Sequence, residues 1–171
     1  MDIKIAFYKG HGRLRDRLIR LWTKSPYSHV ELVLPDGKGW MGIYPPDSPR
    51  VRNNTLKDQL LHEWDFINLR ATEEQVEAIQ DFYSLTCNQS YDWIGMTLSH
   101  ILPFRVKHIN KWYCSEWVAY ALGLSGIVDW KSLRLYNRSQ LPPSDLYGIL
   151  RRCEEMQSNI LDFKNKSRRI D

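Results

Sequence analysis

The chain has 171 residues, 43% of them hydrophobic and 12% aromatic, with a formal net charge of +4. That length suits one domain with a real core; the absence of any run of about 18 apolar residues argues against a membrane-spanning helix, and three cysteines (Cys87, Cys114, Cys153) without CxxC spacing argue against a disulfide framework or a zinc site. The N-terminus "MDIKIAFYKG" has no basic segment leading into an apolar stretch and a small-residue cleavage site, so the expected location is the cytoplasm. Cations and anions are interspersed except in "GRLRDRLIR" (12–20) and "KNKSRR" (164–169), which read as a solvated helix face and a frayed end, or as weak attraction to an anionic surface.

In chain order, "DIKIAFY" (2–8) alternates as a strand and "GHG" (10–12) is a turn. Residues 13–23 read as a helix with Leu14, Leu18, Leu21 and Trp22 at helical spacing, stopped by Pro26. "SHVELVL" (28–34) is a strand, "PDGKG" turns it back, and "WMGIY" (40–44) returns. A loop with a short strand near Val51 follows, then a helical turn or two in 55–63 and an alternating strand in "WDFINLR" (64–70). "TEEQVEAIQDFYSLT" (72–86) predicts a helix with Thr72 and Gln75 as a capping box and Val76, Ile79 and Phe82 or Tyr83 as its apolar face. "YDWIGMTLSHIL" (91–102) reads as a helix ended by Pro103, "CSEWVAYALGL" (114–124) as one closed by Gly123, and the last helix as capped at Ser144. The pattern is α+β, one domain over residues 1–150, with 151–171 as the end of the last helix and a basic tail.

Two features point to chemistry. Cys114 stands at the start of an apolar helix, where the positive end of the dipole and the free backbone N–H groups favour a thiolate and receive a developing oxyanion. His29 and Glu31, two apart on one strand, share a face. A cysteine nucleophile needs a base in reach and a third group to orient that base. The other histidines, His11, His62, His100 and His108, fall in turns or on polar helix faces. Cys87 and Cys153 lack the helix-start setting. Each member of the pair also has a plain reading, the cysteine as buried packing and the histidine as a satisfied strand residue.

The order "SHVELVL", strand, "YDWIG", "WYCSEWVAYAL", "PSDLY" resembles the circularly permuted branch of the NlpC-type papain-like cysteine hydrolases, the YiiX-like group, and small proteins of tailed bacteriophages, over roughly residues 3–147. The resemblance implies a mostly antiparallel sheet packed against helices, with Cys114 as nucleophile, His29 as general base, and Tyr91 shaping the oxyanion site. That family usually places the third catalytic residue on the strand after the histidine strand. Here "WMGIY" offers none, which leaves Glu31 first and Asp47 second, with Tyr44 nearby. The implied reaction is hydrolysis of a peptide-like amide or isopeptide, cell-wall peptides included, through an acyl-enzyme, without metal or organic cofactor. A fatty acyl substrate, with peripheral membrane contact through "GRLRDRLIRLW", and a degenerate binding or inhibitory protein are the alternatives; no nucleic-acid partner is expected. A phage-encoded chain of this kind would act in the host cytoplasm.

Overall fold

The computed structural model describes residues 1–12, 14–35, 39–43, 50–54, 58–92, 111–133 and 141–167. Among these, five strands form one antiparallel sheet in the order β4-β3-β2-β1-β5: β1 is Asp2–Tyr8, β2 His29–Val33, β3 Trp40–Gly42, β4 Arg52–Asn54 and β5 Trp64–Arg70. The helices are α1 (Leu14–Thr23), α2 (Glu73–Thr86), α3 (Cys114–Leu124) and α4 (Pro143–Ser167), with a 3-10 helix over Asp58–Glu63. The class is α+β, with helices packed on an antiparallel sheet.

Alternation along β1, β2 and β5 sends Ile3, Ile5, Phe7, Val30, Leu32, Ile67 and Leu69 to one face. These join Val76 and Ile79 of α2, Trp117, Val118 and Leu122 of α3, and Leu146 and Leu150 of α4 in a single core. The helix α3 is buried from Cys114 to Gly123 and, beyond Ser115 and Glu116 in its first turn, largely apolar, running between the sheet and α2. The Trp117 indole N–H donates to Thr86 Oγ1 at 2.9 Å, so its one polar atom is satisfied inside the core. Thr72 and Gln75 form the expected capping box, with Gln75 N donating to Thr72 Oγ1 at 3.3 Å and Thr72 N to Gln75 Oε1 at 3.0 Å.

Several local expectations are revised. The stretch 55–63 holds a 3-10 helix, and the short strand lies just past Val51. Tyr91 belongs to a two-residue strand β6 (Ser90–Tyr91) that pairs in parallel with β7 (Lys111–Trp112), where a helix was expected; residues 93–102 lie outside the described residues. Gly123 does not close α3. It is buried against Trp130, whose ring atoms would lie 3.1 Å from an added Cβ, and Gly126, at φ +71°, takes the left-handed position after the helix. The last helix begins at Pro143, a residue whose fixed φ suits a first helical position, so Ser144 sits inside it. The leucines of α1 face outward. Facing inward among its described side chains, Asp16 is buried, and Arg20 donates to the carbonyls of Gly10 and His11.

Along the free edge of the sheet, β5 is covered by α4. Asn68 N donates to Glu154 Oε1 and Arg70 N to Gln157 Oε1, each at 2.8 Å. Side chains one helical turn apart thus satisfy two N–H groups that an edge strand would leave open.

Candidate active site

His29 opens β2, and the head of α3 meets that strand. Its imidazole is buried, at 2% exposure, between two partners. On one side Glu31 Oε1 stands 3.0 Å from Nε2. The second is Cys114 at the head of α3, whose charge and hydrogen bond act on the ring. Burial by itself would push the imidazole down. The charge and hydrogen bond of Cys114, followed by those of Glu31, outweigh it and lift His29 from its ordinary 6.5 to about 9. The ring therefore carries its proton at neutral pH. For Glu31 burial pulls upward, but the bonds to His29 and Arg52 hold the carboxyl below its ordinary value, so it is ionised.

The structure thus brings together three residues named from the sequence, Cys114, His29 and Glu31. Glu31 reaches its neighbour although residues two apart on a strand are separated by nearly 7 Å of backbone. Two features missed in the sequence explain this. Arg52, on β4, places Nη2 2.8 Å from the same Glu31 Oε1, across the width of β3. Gly42, on the intervening strand, lies against Glu31, and a Cβ there would come within 3.2 Å of Glu31 Cγ. The absent side chain gives the carboxylate its room. The signal available in the sequence was the glycine itself, in a short apolar strand where it weakens pairing. Nothing local marks Arg52.

Tyr91 is buried and belongs to the β6–β7 pair. It stands opposite Trp112, two residues before the cysteine, and Asp92 N donates to Trp112 O at 2.8 Å. Around the head of α3 the sequence reading also missed Tyr113, Asp92 and Glu116. Burial, reinforced first by the charge of Glu116, pushes the Tyr113 hydroxyl up, so it stays protonated. The first helical bond of α3 runs from Trp117 N to Tyr113 O, so the amides of residues 114–116 precede the ladder, and the N-cap Tyr113 makes no side-chain bond to them. Trp64 stands edge-on to the His29 ring with centroids 6.0 Å apart, and Trp40 packs on Trp64 at 4.9 Å. Tyr44 and Asp47 lie outside the described residues.

All three cysteines are free. Cys87 follows the end of α2, and Cys153 sits in α4, where burial pushes its thiol up. Among the described residues no cluster of His, Cys, Asp and Glu could hold a metal ion, and no helix is long and apolar enough to cross a membrane. The chain matches no protein-family model and no curated protein.

Proposed function

We propose that the protein is a papain-like cysteine hydrolase acting on a peptide-like amide. The observation that carries this reading is the buried imidazole held between a helix-head sulfur and an ionised carboxylate. With Nε2 engaged by Glu31, Nδ1 is the nitrogen that serves the sulfur. His29 already holds the proton of the pair, and the Cys114 sulfur attacks the carbonyl carbon. The oxyanion that forms is received by the Cys114 backbone N–H, an orphan of the helix start, where the dipole favours negative charge. The C–N bond then breaks, and the imidazolium protonates the departing amine. The acyl group remains on sulfur as a thioester. Water attacks it, giving its proton to His29, and the sulfur leaves as the acid is released, which restores the starting pair with the proton on the ring. Glu31 keeps the ring in one orientation and stabilises its positive charge throughout, and Arg52 holds Glu31 in turn.

Alkylation with iodoacetamide near neutral pH tests this directly. Cys114 is expected to react faster than Cys87 and Cys153, and His29→Ala is expected to erase the difference. Incubation with a peptide-like amide library should yield a thioester on Cys114 detectable by intact mass. Slow, equal labelling of all three cysteines would instead mark a degenerate site on a binding protein.

A further inference from the structure

The leucine row of α1 is turned inside out relative to an ordinary surface helix. Leu14, Leu18 and Leu21 recur at i, i+4 and i+7, forming one stripe, and are 72%, 55% and 77% exposed. Their outward direction is fixed from beneath. Asp16, at 2% exposure, packs under the 10–12 turn, where a Cβ on Gly12 would meet its carboxylate at 2.6 Å. Arg20 clasps the carbonyls of Gly10 and His11. Rotating the helix to hide the leucines would break all of these contacts.

The charge around the stripe has one sign. Arg17 and Lys24 are cationic and exposed, Arg20 is held by the carbonyls of Gly10 and His11, and the one acid between residues 12 and 24, Asp16, is buried. Ten residues give a helix about 15 Å long and roughly 10 Å wide. Such a face is a small fraction of the roughly 800 Å² per partner that specific protein interfaces bury. A short apolar stripe flanked by cations suits a bilayer, which takes up leucines without needing a complementary surface and supplies phosphates beside them.

We propose that α1 is an interfacial helix: its leucines enter the headgroup boundary of an anionic membrane while the adjacent cations bind lipid phosphates. The consequence for the site is positional. Thr23, which ends α1, is six residues from His29, so the two are separated by at most about 20 Å of chain. Docking would hold the start of β2 close to the lipid surface. This extends the hydrolase reading to a substrate met at a membrane, but the docking itself does not depend on catalysis.

Sedimentation of the full chain with vesicles tests it, comparing pure phosphatidylcholine with phosphatidylcholine containing phosphatidylglycerol. Partition is expected onto the phosphatidylglycerol vesicles, and it should weaken as salt rises to molar levels. The double variant Leu18→Gln, Leu21→Gln should partition at least about tenfold less, from the lost apolar contact. Both positions are exposed, so a native circular dichroism spectrum and melt are expected for it. Arg17→Glu should lose the preference for anionic lipid. Cys114→Ala should bind as the unaltered chain does, which separates this result from any failure of the hydrolase. Absence of sedimentation with either vesicle, equal binding to both, or undiminished binding by the glutamine variant would each overturn the proposal.

Discussion

Gly42 and Glu31 lie against each other across β2 and β3, with only 3.2 Å between the Glu31 Cγ and the point a Cβ on Gly42 would occupy. This contact lets a carboxylate from the histidine's own strand take the place that a side chain on the next strand would otherwise fill. Alanine in a strand ordinarily gains about 0.5–1 kcal/mol over glycine. At Gly42 the sign is expected to reverse, and Gly42→Val should cost about 1–3 kcal/mol by overpacking. Both variants should slow alkylation of Cys114 as Glu31 is displaced. A Gly42→Ala protein that melts higher and alkylates at the original rate would show that the space is incidental.

Arg52 is the only described cation bonded to Glu31 besides His29. Its removal leaves a buried carboxylate with one partner, and Arg52→Ala is expected to destabilise by about 3 kcal/mol, the lower end for a broken buried pair because His29 remains. Arg52→Lys should restore part of that loss, since a single ammonium replaces the guanidinium contact. Urea denaturation at neutral pH measures both. If the site works as proposed, the alkylation rate of Cys114 should follow the same ranking, and an alanine variant with unchanged rate and stability would remove Arg52 from the account.

The protonation of the site sets a pH window. His29 is raised to about 9, so its contribution to stability is complete below 6.5 and is lost as pH rises through about 9. Glu31 is lowered, so its contribution is complete above its ordinary 4.5 and is lost as pH falls through the depressed value. Stability should therefore peak between about pH 5 and 6.5 and fall on the alkaline side first as His29 deprotonates. In Cys114→Ala the strongest upward influence on His29 is gone, and the alkaline loss should begin at lower pH. Nuclear magnetic resonance titration of the imidazole, with thermal melts from pH 4 to pH 10, tests both; a His29 signal titrating near 6.5 would contradict the ion-paired site.

Deeper in the core, Thr86→Val would leave the Trp117 indole N–H without its oxygen. The expected cost is about 1–3 kcal/mol despite the near-equal volume. Trp117→Ala, which also opens a cavity, should cost about 3–5 kcal/mol. Near-neutral behaviour of Thr86→Val in chemical denaturation would mean the indole finds another acceptor.

Much of this architecture is legible along the chain because local rules agree with the tertiary ones. The strand over 2–8, the capping box at Thr72 and the apolar helix starting at Cys114 each carry their own signal, and each is found. The candidate site is legible in its chemistry, a helix-head cysteine and a strand histidine with a glutamate on the same face. Its support is not. Arg52 reaches Glu31 only through the register of three strands, and Gly42 reads in isolation as a weak point in a short strand. The leucine spacing of α1 announced an amphipathic helix but not which side would be covered, since that depends on where Asp16 and Arg20 find partners. Tyr91 pairs with Trp112, two residues before the cysteine, through a parallel pairing that no adjacent residue foretells.

The side-chain bonds from Glu154 and Gln157 to the backbone of β5 give the last helix a protective duty. A chain cut after Leu150 would keep the residues that fill the interior yet strip the sheet of its lateral guard. Two such molecules would then present bare strands to one another, and polymerisation is the outcome to expect on concentrating them. In the intact chain Glu154 and Gln157 keep that edge closed.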